Sequence, residues 1–115
     1  YQTGMELTER LNTVRSAKDL FFPQVENLLK FKVAGKSIEI IDDRDPVAPF
    51  VVFGVRGCDC RSFDILDRVF KDAEPQDTFY TSRRDNATII TLACNAPEET
   101  CFCTAFGIDP ADPAS

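Results

Sequence analysis

Histidine is absent from the 115 residues of this chain. That absence removes Ser-His-Asp and Cys-His catalysis, histidine-containing zinc sites and the usual proton shuttle near neutral pH. Any chemistry has to come from thiols, carboxylates or a bound cofactor. No apolar run is long enough to span a bilayer, so no membrane insertion is expected. Positive charge is scarce: 13 Lys and Arg face 19 Asp and Glu, giving a net charge of -6 and a pI near 4.6. This is the wrong sign for following a phosphate backbone or an anionic lipid surface, and nucleic acid is not expected as a partner.

What remains is ordinary for a globular domain: 43% hydrophobic and 28% charged residues, with a mean hydropathy of -0.18. One domain of this length buries roughly two thirds of its unfolded surface and holds one core. The five cysteines are an odd number with no signal peptide before them, which argues against a disulfide framework and for a reducing, cytoplasmic compartment. The chain starts on Tyr1 and trails off in Asp109-Pro110-Ala111-Asp112-Pro113-Ala114-Ser115. The expectation is a single domain over residues 1–115, cut from a longer protein, with residues 108–115 as a linker.

Thr3 and Glu6 have capping-box spacing, and Leu7, Leu11 and Val14 follow at helical intervals, predicting a helix over residues 5–17. Pro23 suits the first turn of a second helix bearing Val25, Leu28 and Leu29. Residues 31–34 and 37–41, with Gly35-Lys36 between them, read as a hairpin. Residues 42–49 carry three Asp and two Pro and read as a solvated turn rather than a cation site, because the EF-hand pattern is missing. The run Phe50-Val51-Val52-Phe53-Gly54-Val55 predicts a strand buried on both faces. A helix follows over residues 61–70, with Asp59 as its N-cap and Phe63, Leu66, Val69 and Phe70 inward. Residues 76–85 predict another helix and residues 88–92 a second buried strand. Arg83 and Arg84 are better explained by carboxylate pairing than by a phosphate site.

Two buried strands joined by more than thirty residues of helix are most simply parallel. The fold class is therefore α/β: a small sheet of parallel strands with a helical crossover. Its carboxyl edge, where open α/β sheets bind ligands, receives Cys58 from one strand and Cys94 from the other. The loop after Cys94 can turn back and bring Cys101 and Cys103 to the same place. Cys58 and Cys60 sit near a helix start, where backbone N–H groups, Arg56 and Arg61 favour a thiolate. Several thiolates held together imply a metal centre or oxidation. Without histidine, soft ligands point to iron–sulfur first and all-cysteine zinc second. The spacing Cys94-x6-Cys101-x-Cys103 matches neither a zinc ribbon nor the closely spaced ferredoxin series. Cys60 is the thiol most readily explained as core filling, and is otherwise a possible extra ligand.

These residues resemble the iron–sulfur protein family that includes the beta subunit of sulfhydrogenases and the corresponding iron–sulfur component of anaerobic sulfite reductase. The matching segments are Phe21-Phe22-Pro23-Gln24-Val25-Glu26, Phe53-Gly54-Val55-Arg56-Gly57-Cys58-Asp59, Asp64-Ile65-Leu66-Asp67-Arg68-Val69-Phe70 and Thr100-Cys101-Phe102-Cys103-Thr104. With residues 80–86 and the strand into Cys94, the resemblance runs over about residues 20–107. It implies an electron-transfer subunit working between a flavin-containing partner and a catalytic redox subunit. It also implies a 4Fe-4S dicluster ferredoxin-like domain beyond this region, and a cluster site here at Cys58, Cys94, Cys101 and Cys103. Two positions depart from the family: Gly57 stands where the family has Pro, and Cys60 where it has an apolar residue. Two other readings remain. One is a thiol-based sulfur-transforming domain, with Cys58 as nucleophile and Cys103 or Cys60 resolving. The other is a zinc-binding subunit interface.

Overall fold

Apolar periodicity in the second half of the chain sets the architecture. The computed structural model, described over residues 15–42 and 47–112, contains strands β1 (Lys30–Ala34) and β2 (Ser37–Ile41), strand β3 (Phe50–Val55), helices α1 (Gly57–Phe70) and α2 (Thr78–Asn86), and strand β4 (Ala87–Thr91). Short 3₁₀ turns occupy Ala17–Leu20 and Cys103–Phe106. The helix expected over residues 5–17 lies outside the described residues except at its end, where Ser16 caps the first of these turns.

β3 and β4 pair in parallel, from Phe50 opposite Ala87 to Phe53 opposite Ile90, and the Leu92 N–H extends the ladder to the Val55 carbonyl at 2.8 Å. The expected strand, helix, helix, strand unit is present, and its two strands are neighbours in one sheet. Gly54 interrupts the register with φ 86°, a left-handed conformation open to glycine at little cost. This bulge resets the alternation of side chains. Phe50 and Val52 face the core, Val51 and Phe53 face out, and Val55 faces in again.

The expectation that both faces of these strands are buried is corrected. Val51, Phe53 and Ile90 are exposed, because helices cover one face of a two-stranded sheet and nothing described covers the other. On the covered side, Phe21, Val52, Val55, Phe63 and Tyr80 form the core, with Leu66, Phe70 and Ile89 packed around it. Phe21 meets Phe63 edge-on at 4.7 Å between ring centres. Full burial of rings such as these contributes about 1.5–3 kcal/mol each.

Three other expectations change. α1 begins at Gly57, with Arg56 in the N-cap position and Asp59 within the first turn, so Asp59 is not the cap. Val69 points outward rather than into the core. No helix follows Pro23: Val25, Leu28 and Leu29 are exposed, and the segment is tied to α2 by a two-pronged pair from Arg83 to Glu26 at 2.6 and 2.7 Å. Phe22 stacks on Phe70 at 4.5 Å and fixes the start of this strap.

β1 and β2 form the expected hairpin as a separate antiparallel sheet. Gly35, with φ 62°, takes the first position of the two-residue turn, where a type II′ hairpin requires a positive φ.

Candidate functional site at the carboxyl edge of the sheet

All five cysteines are thiols, without disulfides. Cys58 and Cys60 belong to the first turn of α1, immediately after β3. The N-cap side chain makes no hydrogen bond to this helix start, and the positive end of the helix dipole favours an anion there. Asp59 already uses part of that field, and its carboxylate also accepts a hydrogen bond from the Ser16 hydroxyl at 2.6 Å.

Arg56 is buried, and its guanidinium donates to the carbonyl oxygens of Leu92 (3.4 Å) and Ala93, the last residues before Cys94. Arg61 pairs with Asp64 at 3.0 Å on the surface.

The segment after β4 returns as the sequence suggests. Residues 98–101 turn, with the Cys101 N–H donating to the Glu98 carbonyl at 3.0 Å, while the Glu98 N–H donates to the Cys101 sulfur at 3.3 Å. Cys103 opens the second 3₁₀ turn, which Gly107 closes at φ 69°. The Cys94 N–H then donates to the Pro110 carbonyl at 2.7 Å, tying the tail of this segment to the end of β4.

A cavity of roughly 360 Å³ lies between α1 and this returning segment. Cys58, Cys101 and Cys103 all line it. Ile65, Phe102, Phe106 and Ile108 supply an apolar wall, and Lys18 and Arg61 contribute positive charge. Cys94 is half-buried and is not among the lining residues. Cys60 packs against the core instead. Burial pushes its thiol pKa up, with the charges of Asp59 and Asp64 adding to the effect and Arg84 opposing it. Among the described residues, no three Cys, Asp or Glu side chains are grouped so as to hold a metal ion.

Several participants carried little local signal. Lys18 reaches the cavity from far upstream, and nothing in its neighbourhood marks it. Phe102 and Phe106 do have a signal, helical i,i+4 spacing, and their rings lie 5.7 Å apart. Tyr80, Arg84 and Asp67 form a network behind the site: the Tyr80 hydroxyl donates to Asp67 at 2.6 Å, Arg84 donates to both Asp67 oxygens at 3.1 Å, and the Arg84 guanidinium lies 5.6 Å from the centre of the Phe63 ring. The carboxylate pairing expected for Arg83 and Arg84 is thus what the structure has.

No family model matches the chain, and no solved structure matches it. Over 79 residues, 69% of its length, the chain is 38% identical to Sulfhydrogenase 2 subunit beta of Pyrococcus furiosus, and the match spans 22% of that subunit. The chain is related to this hydrogenase subunit, which bears out the sulfhydrogenase part of the resemblance drawn from the motifs.

Proposed function

We propose that the chain is an electron-transfer module of a multi-subunit oxidoreductase of hydrogenase, sulfur-reductase or sulfite-reductase type, and that Cys58, Cys94, Cys101 and Cys103 hold a 4Fe-4S cluster. The observation that carries this reading is the cavity beside the start of α1, which Cys58 lines together with Cys101 and Cys103 from a distant segment. The donor set fits the group in kind: soft sulfur ligands and no histidine anywhere in the chain. Cys94 follows β4 closely, tied through its N–H to the tail of the returning segment, and Cys60 is occupied in the core.

When bound, a cubane cluster stores and releases one electron. The chain's own residues would govern its surroundings. The Glu98 N–H, already directed at the Cys101 sulfur, stabilises negative charge there, and Ile65, Phe102 and Phe106 give the cavity an apolar wall. A net charge of -6 suits docking against a basic patch on a flavin-containing or catalytic redox subunit.

Anaerobic reconstitution is the test. About four irons per chain, with acid-labile sulfide and a visible absorbance that fades on reduction, are expected. Cys101→Ser and Cys94→Ser should lose or greatly weaken the cluster, because a serine hydroxyl is a harder and much less acidic ligand. Cys60→Ser should leave iron content nearly unchanged. Loss of iron in Cys60→Ser together with full iron in Cys58→Ser would move the ligand from position 58 to position 60.

A second reading has one observation in its favour: Cys58 is exposed in the first turn of α1, and the described thiols do not form a metal-holding group. In that case the domain is a thiol-based sulfur-transforming one, with Cys58 as nucleophile. A metal-free chain with one rapidly alkylated thiol supports this reading, and stoichiometric zinc supports a structural interface instead.

A further inference from the structure

The two cations at the thiol cavity are not alike. Arg61 is paired with Asp64 at 3.0 Å on the surface. Lys18 is half-buried on the cavity wall, and among the described residues no carboxylate is paired with it. An ammonium that gives up hydration on a wall shared with Ile65, Phe106 and Ile108 is costly unless an anion faces it. Asp59, the carboxylate of the lining, already has the Ser16 hydroxyl at 2.6 Å and the positive end of α1. The remaining ionisable groups of the wall are the thiols of Cys58, Cys101 and Cys103.

The position of Lys18 is fixed by both ends of its 3₁₀ turn, each anchored on α1. Upstream, the Ser16 hydroxyl accepts from the Lys18 N–H at 3.3 Å and donates to Asp59. Downstream, the N–H groups of Phe21 and Phe22 donate to the Lys18 carbonyl at 3.0 and 2.9 Å, and their rings pack on Phe63 and Phe70 of α1. The main chain at Lys18 is therefore held against the helix that carries Cys58, and the side chain joins the cavity wall from there.

We propose that Lys18 is the counter-cation of this cavity: its ammonium balances negative charge gathered on Cys58, Cys101 and Cys103 and, with a cluster bound, favours the reduced state. The second half rests on the 4Fe-4S reading above, whereas the first needs only the thiols. Reduction adds one negative charge, and nearby net charge is among the determinants of a cluster's potential. One lysine charge on the wall is expected to be worth about tenfold in the reduction equilibrium, or about 59 mV for a one-electron couple. Lys18 ligates nothing and acts through its field alone.

Two measurements on the full chain test this, each with Lys18→Arg, Lys18→Met and Lys18→Glu. In reconstituted protein, redox titration should place Lys18→Met about 59 mV below the parent and Lys18→Glu about twice as far, with Lys18→Arg close to the parent and iron content equal throughout. In metal-free protein, the thiols are alkylated with anionic iodoacetate and with neutral iodoacetamide, and the ratio of the two rates, read peptide by peptide by mass spectrometry, cancels the thiolate fraction. At low salt that ratio should fall severalfold from the parent to Lys18→Met at Cys58, Cys101 and Cys103, and further in Lys18→Glu. Equal potentials across the series overturn the inference. So does a shift in Lys18→Arg as large as in Lys18→Met, because shape rather than charge would then be acting. A parent that takes up no iron removes the cluster reading and the redox half with it, and the alkylation ratio then decides the rest: dependence on Lys18 sustains the counter-cation, and independence overturns it.

Discussion

Tyr80 is the most consequential single side chain away from the thiols. It is fully buried, and its hydroxyl ends on Asp67, which Arg84 also holds. Burial, then the hydrogen bond to Asp67 and its charge, raise the phenol well above its ordinary pKa of 10.0. In the unfolded chain the same group ionises near 10, so its contribution to stability is intact below that pH and is lost as pH climbs toward the folded value. Urea unfolding should show a midpoint that falls between about pH 9.5 and 11, and Tyr80→Phe should flatten that fall. At neutral pH the same variant should be about 1.5–3 kcal/mol less stable, the usual cost of losing a hydrogen bond to a charged acceptor. Carboxylate pairing of Arg84 was legible beforehand, but not that Asp67 is the partner or that Tyr80 shares it. The i,i+4 spacing of Tyr80 and Arg84 placed them on one helix face, but their shared partner lies on another helix.

At the scale of elements, β3, β4 and both helices were readable because apolar runs and helical spacing are local properties. The errors arose where a tertiary partner decided the outcome. Burial of both strand faces assumed layers on both sides, and the chain has helices on one. Pro23 followed by Val25, Leu28 and Leu29 had helical spacing, but the segment is irregular and is tied to α2 through the Glu26–Arg83 pair. Arg83→Ala should therefore release this strap. The expected readout is faster hydrogen exchange across residues 24–29 and a stability loss of about 0.5–1.5 kcal/mol, the range for a half-buried two-pronged pair. Gly54 gives a second element-scale prediction. A methyl group there meets no atom within 4 Å, so Gly54→Ala should cost only the left-handed backbone penalty, about 1–2 kcal/mol, measured by chemical denaturation. The strand ends were legible, since Cys58 and Cys94 each follow a parallel strand closely, but of the two only Cys58 lines the cavity, beside Cys101 and Cys103. The cavity walls were not, because Lys18, Ile65 and Ile108 come together only through the fold.

For the whole molecule, stability is unevenly shared. The β3–β4 unit with its helices owns the core, while the hairpin's main contacts are between its own strands. Hydrogen exchange followed by mass spectrometry should show residues 30–41 exchanging much faster than residues 50–55 and 87–91. A different coupling runs through Arg56. Its guanidinium joins the start of α1 to the carbonyls of Leu92 and Ala93, so one side chain sets the gap between the peptide leading into Cys58 and the peptide leading into Cys94. A lysine there would keep the charge but replace a planar fork with a single flexible point. The spacing of the two cysteine-bearing exits would then be free to drift, and the chain would fold with its core whole and its thiols out of gauge.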